Sequence, residues 1–237
     1  METRTIFRTL LFFVVFSLPG LLMASSSDTK QDRQVSSFKA IKVSAGIDLY
    51  LEPGTREKVE VKGDQRDMDE IITEVKDGTL HIYRKGKFGF NFNFHNNCEV
   101  HVTATTLNAL DASSGSEVKS TGTFKGHECR ISASSGSEVN LNLEYDKLTA
   151  DSSSGSEINL QGKTSKLSVS VSSGSEINAC ELTAGVVDAD ASSGGKACVK
   201  AVSELLANAS SGGDINYRGK PQILNVEKSS GGSVSGN

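Results

Sequence analysis

Four glutamates recur at near-constant intervals, Glu117, Glu138, Glu157 and Glu176, and the last three are followed two residues later by Asn140, Asn159 and Asn178. If equivalent positions stack, the carboxylates form one row and the amides another, a surface of acceptors and donors for a surface glycan or a protein ligand. Like charges about 4.8 Å apart repel by roughly 1 kcal/mol per pair in water. An unrelieved row therefore invites a cation, with Ca²⁺ suited to oxygen ligands and Glu138 and Glu157 as its candidate ligands. The competing reading is a solvated edge that discourages aggregation. No Asp-x-Asp-x-Gly loop accompanies the row, which favours the solvated edge.

Other reactive residue types are sparser. Asp188 and Asp190 share one face of an alternating segment and Asp151 is a neighbour, so a polysaccharide-active, pectinase-like enzyme with paired carboxylates is the second functional reading. Trp is absent and no Tyr platform accompanies these acids, which favours a non-catalytic protein. Cys98, Cys129, Cys180 and Cys198 show no CxxC or metal-ligand spacing. Cys180 and Cys198 fall six and four residues after their glycines, a diagonal offset that puts the Cα atoms near or beyond the ~7 Å limit for bridging. Cys129 takes an inward position and reads as core. The four histidines (His81, His95, His101, His127) are scattered. Phe88, Phe90, Phe92 and Phe94 alternate along one segment, either as a cap on an open end or as a partner patch.

The elements that must position these residues follow from a repeated phrase. Ser-Ser-Gly-Ser-Glu surrounds Gly115, Gly136, Gly155 and Gly174, then becomes Ser-Ser-Gly-Gly at Gly194, Gly212 and Gly231. The glycine spacings of 21, 19, 19, 20, 18 and 19 residues are the signature of a solenoid. Apolar residues alternate after the glycine (Val139/Leu141, Ile158/Leu160) and before it (Leu148/Ala150, Leu167/Val169/Val171), which predicts strands. Glycine supplies the positive φ of the corner between them. Ser is small and satisfies turn backbone groups there, although a column of hydroxyls also offers a ligand surface. Strands this short bury their apolar face only by pairing coil on coil. The fold class is all-β: a single-stranded parallel β-helix, or β-solenoid, of roughly eight coils of about 19 residues, with right-handed winding favoured by the general crossover preference.

The address is written at the start. Arg4 and Arg8 precede the apolar run Leu10–Phe16, Pro19-Gly20 interrupt it, and Ala24-Ser25 follows, so residues 1–24 read as a signal peptide. Residues 25–37 read as a mobile polar leader, and 38–237 as the solenoid, irregular with a cap over 38–100 and regular over 101–237. Ser44-Ala45-Gly46-Ile47-Asp48 is a degenerate first copy, Met68 to Ile72 suits one helical turn, and Asp77-Gly78 marks a hairpin. A net charge of −4 gives no support to nucleic-acid binding. The last phrase is followed by no amphipathic helix, and an uncovered parallel edge points to self-association through the solenoid end.

The segments VSAGIDLYLEPG, VEVKGD, MDEIITEVKDGTLHIYRK and EVHVTATTLNALDASSGSEV together resemble the family of auto-transporter adhesin head domains (the GIN domain), common in exported proteins of Bacteroidetes. The resemblance covers nearly the whole chain after the signal peptide. It implies a β-helical fold and a location at the surface or in the periplasm. The expected function is an exported, cell-envelope, adhesin-like binding module with no cofactor beyond a candidate Ca²⁺. Its expected location is periplasmic, cell-surface or secreted.

Overall fold

The computed structural model describes residues 29–85 and 98–237, so the expected signal peptide and the Phe88–Phe94 segment lie outside the described residues. It is a β-solenoid of about seven turns with coils of about 19 residues. The strands in chain order are β1 (Thr29–Arg33), β2 (Ala40–Val43), β3 (Asp48–Pro53), β4 (Lys58–Gly63), β5 (Ile71–Lys76), β6 (Thr79–Arg84), β7 (Glu99–Ala104) and β8 (Ala109–Ala112). The long strands β9 (Glu117–Ala133), β10 (Glu138–Ser152), β11 (Glu157–Val171), β12 (Glu176–Ala191) and β13 (Lys196–Ala209) follow. The series ends with β14 (Asp214–Arg218), β15 (Ile223–Lys228) and β16 (Ser233–Gly236).

Each long strand has two legs. In β10 the alternation of Val139, Leu141, Leu143 and Tyr145 inward steps at Asp146-Lys147, both exposed, and resumes with Leu148 and Ala150 inward. Parallel pairing joins β9 through β13 coil upon coil, with Glu138 opposite Glu157 and Leu148 opposite Leu167. The interior is one continuous apolar column that includes the small Ala150, Ala189 and Ala207.

The corner differs from expectation in one respect. Glycine does not carry the turn alone: Ser154 (φ 55) and Gly155 (φ 68) are both left-handed, and the same pairing recurs from Ser114-Gly115 to Ser230-Gly231. With Ser156 N–H donating to the Ser153 carbonyl at 3.3 Å, this is a type I′ turn, whose two central residues both need φ > 0. Corners are tied to each other by Gly N–H to Ser carbonyl bonds, as from Gly155 to Ser173 at 3.2 Å.

The N-terminal part is more regular than expected. The copy at Ala45-Gly46 is a true corner, with Ala45 at φ 67 and Gly46 N–H bonded to the Ser114 carbonyl at 3.0 Å. It joins β2 to β3, and this coil lies inside the stack: β2 sits between β6 and β8, and β3 between β7 and β9. Residues 29–33 of the expected mobile leader instead form β1, antiparallel to β4, because the open edge of β4 needs partners and Arg33 donates to the Met68 carbonyl at 2.7 Å. The helical turn is Gln65–Met68, earlier than expected, since Ile71 and Ile72 are taken into β5. The Asp77-Gly78 hairpin joins β5 to β6 as read.

Candidate binding wall

The repeat places one carboxylate per coil on the outer side of the first leg, immediately after the corner. The registers align Glu117, Glu138, Glu157 and Glu176 as one column. The column is longer than the repeated phrase indicates. Asp48 stands opposite Glu117 and also opposite Glu99, so six acids run in sequence before Lys196 ends the row opposite Glu176. Asp48 was legible, because Gly46 aligns it with the Glu position of the phrase. Glu99 was not, because no corner phrase precedes it.

Two residues along each strand a second column runs His101, Tyr50, Lys119, Asn140, Asn159 and Asn178. It relieves the first. Asn140 Nδ2 donates to Glu138 Oε1 at 2.8 Å, and Asn159 Nδ2 to Glu157 Oε1 at 2.8 Å. Lys119 pairs with Glu117, and His101 Nε2 lies 3.0 Å from Glu99 Oε2. Asn178 turns its Oδ1 to the Cys180 N–H at 3.3 Å. Tyr50 stacks on His101 with ring centroids 4.8 Å apart. Burial, followed by the charges of Glu117 and Glu99, holds the Asp48 carboxyl above the usual aspartate range.

These pairings leave each Asn with a second N–H, and each Glu with spare acceptor capacity. Where the ladder slips past Asn140 and Asn159, a notch of about 130 Å³ opens, lined by Ser120, Asn140, Leu141, Asn142, Asn159 and Gln161. Its amide lining was not foreseen, because the slip is invisible in an alternation pattern. Among the described residues no three His, Cys, Asp or Glu side chains converge as a metal cluster. At Glu138 and Glu157 one carboxylate oxygen accepts from a neutral amide.

The corner serines divide by position. Ser156 is buried, its single hydroxyl proton within reach of the Ser153 and Ala133 carbonyls at 2.8 and 2.9 Å, whereas Ser154 and its equivalents are exposed. Ser137 and Ser175 repeat this bonding. At Gly195, Gly213 and Gly232 the backbone closes on the preceding coil, so that a Cβ at Gly213 would meet the Ala191 carbonyl oxygen at 2.3 Å. This explains the change from Ser-Ser-Gly-Ser to Ser-Ser-Gly-Gly.

Asp190 Oδ1 accepts from Asn208 Nδ2 at 3.0 Å, and Asp151 pairs with Arg130 at 2.7 Å. Asp151 and Asp190 are separated by Ser170, two coils apart, and Asp188 lies opposite Ser168. Cys180 and Cys198 form a disulfide with Cα atoms 5.2 Å apart, contrary to the expected offset. The register slips between Ala179 and Thr183, and this irregularity accompanies the closer approach of the two strands. Cys129 is core, its thiol pushed up to about 12 by burial.

The family model "Putative auto-transporter adhesin, head GIN domain" matches residues 37–221. A solved structure of a putative adhesin from Bacteroides fragilis is similar at 22% identity and a TM-score of 0.78, over 90% of this chain and 98% of the other. A putative adhesin from Parabacteroides merdae is similar at 21% identity and a TM-score of 0.70, over 90% and 97%. A putative lipid binding protein from Parabacteroides distasonis is similar at 21% identity and a TM-score of 0.68, over 90% and 97%. At these identities the likeness is one of fold. No curated protein matches the chain at a significant level. Among the described residues no helix is long and apolar enough to cross a membrane.

Proposed function

This chain belongs to the GIN head-domain family of putative auto-transporter adhesins, and we propose that it is a non-catalytic binding module of the cell envelope. Its recognition surface is the first-leg wall that carries Glu117, Glu138, Glu157, Glu176, Asn140, Asn159 and Asn178. The supporting observation is the paired column: each Asn amide is held by its own Glu at 2.8 Å at two successive coils, which fixes donors and acceptors at one-coil spacing. Preorganised amides and carboxylates suit the hydroxyls of a glycan, because side chains already held in place lose little entropy on binding. The acidity of the wall favours neutral or amino-bearing sugars over acidic polysaccharides. Export through the leader at residues 1–24 would bring this wall to the periplasm or the cell surface.

A glycan array probed with the purified protein tests this reading. Neutral or amino-sugar hits that weaken at least tenfold in Asn140→Ala/Asn159→Ala support it. Hits that keep their strength in that variant move recognition off the wall. Cleavage of acidic polysaccharides, lost on Asp188→Ala or Asp190→Ala, would establish the pectinase-like enzyme in its place.

A further inference from the structure

The exposed large apolar side chains among the described residues lie together at one end of the solenoid: Val202 (52% exposed), Ile223 (52%), Leu224 (44%) and Val226 (37%). Leu224 and Val226 are not surface positions by design. They stand opposite Leu205 and Ala207, both buried, and so continue the inward columns of the coils above them. Among the described residues β15 pairs only with β13, and β16 only with β14. The lower faces of these two strands therefore present backbone donors and acceptors beside an uncovered apolar core, a combination that marks an interaction site.

The two ends are managed differently. At the other end the edge strands among the described residues are β1, with Lys30, Asp32 and Arg33, and β5, with Glu74 and Lys76 hydrogen-bonded at 2.7 Å. Charges on an edge strand discourage pairing. In contrast, β16 carries no charge, and β15 carries Glu227 and Lys228, which sum to zero. What fits such a face is another β edge with its own apolar columns and no net charge, and the same face of a second copy meets that description.

We infer that two copies join tail to tail about a two-fold axis, with β15 antiparallel to β15 of the second copy. The residue pattern restricts the register. Opposite residues in an antiparallel pair point to the same side, so inward Leu224 must face another inward residue. Centring the pair on Asn225 sets Leu224 against Val226 of the second copy and the two Asn225 amides against each other outside. It leaves Glu227 and Lys228 at the rim of the overlap. Lys228 occupies a column position filled by Ala209 in the coil above, and at the rim its charge can reach solvent. This placement gives an apolar centre with a polar margin, the usual anatomy of a stable interface. A two-fold contact is closed, so assembly stops at the dimer.

The test is the mass of the purified protein by sedimentation equilibrium over a wide concentration range. The expected wild-type species is twice the mass of one chain, and Leu224→Asp/Val226→Asp should sediment as a single chain with an unchanged β circular dichroism spectrum. Asn225→Cys, at the centre of the contact, should give a covalent dimer on oxidation, whereas Val202→Cys, outside the β15 pair, should not. The wild type sedimenting as a single chain throughout overturns the inference, as does growth past the dimer, which would mean head-to-tail stacking. A wild-type dimer without the Asn225→Cys crosslink also overturns it, and this outcome does not depend on how the double variant folds.

Discussion

Cys198 lies opposite Asn178 in the ladder between β12 and β13, yet its sulfur is bonded to Cys180, two residues further along. The disulfide therefore runs diagonally between adjacent coils, where the register slips. It closes a loop with a sequence separation of 18 residues, for which loop-closure entropy gives about 3 kcal/mol. Cys180→Ser/Cys198→Ser should lower the unfolding free energy by roughly that amount in denaturant titrations. A reductant should have the same effect on the wild type and none on the variant.

Burial makes the remaining two cysteines silent. Cys98 is 2% exposed and Cys129 0% exposed, and burial pushes both thiols up. An aromatic disulfide reagent should titrate no thiol in the native protein and both after denaturation. Rapid labelling in the native state would show that one of the two positions opens.

The corner serines should separate by position. Ser156→Ala removes a buried hydroxyl that serves two carbonyls, at an expected cost of about 1–2 kcal/mol. Ser154→Asn should be neutral or slightly stabilising, because asparagine tolerates the left-handed region better than serine. Chevron or equilibrium denaturation of the two variants tests the contrast, and equal losses would contradict it.

Asp48 gives the acidic column a pH signature. Its carboxyl is held above the usual range in the fold, first by burial and then by Glu117 and Glu99, so ionisation opposes folding there. Below about pH 4 the group is neutral both folded and unfolded and costs nothing. The penalty sets in as pH rises through the ordinary aspartate value and is complete above the raised folded value. Asp48→Asn should be more stable than wild type at neutral pH, with the difference vanishing in acid, as read by thermal melts across pH.

Much of the fold was legible because period-two alternation and a fixed glycine spacing are local signals. Val139, Leu141, Leu148 and Ala150 point inward as their pattern requires, and the Glu and Asn columns follow from the same spacing. What escaped depends on register between coils. The notch beside Asn142 and the Cys180–Cys198 bond both arise at slips in the ladder, where neighbouring coils differ in length, and the glycine spacing signals such a slip without saying where along the coil it falls. The burial of β2 and β3 between later strands is likewise a matter of chain return, since β6 and β7 come back outside them. Serine in the left-handed turn position was missed because glycine alone seemed sufficient by composition.

The equivalence of Glu138 with Glu157, and of Leu148 with Leu167, makes a whole coil an interchangeable course of masonry. Copying the course of β10 or β11, whose shared register is unbroken, would add a joint of the same kind and raise the wall by about 4.8 Å and one carboxylate of the Glu column. Such a joint makes the height of the wall a ruler that duplication of an equal-length course can extend.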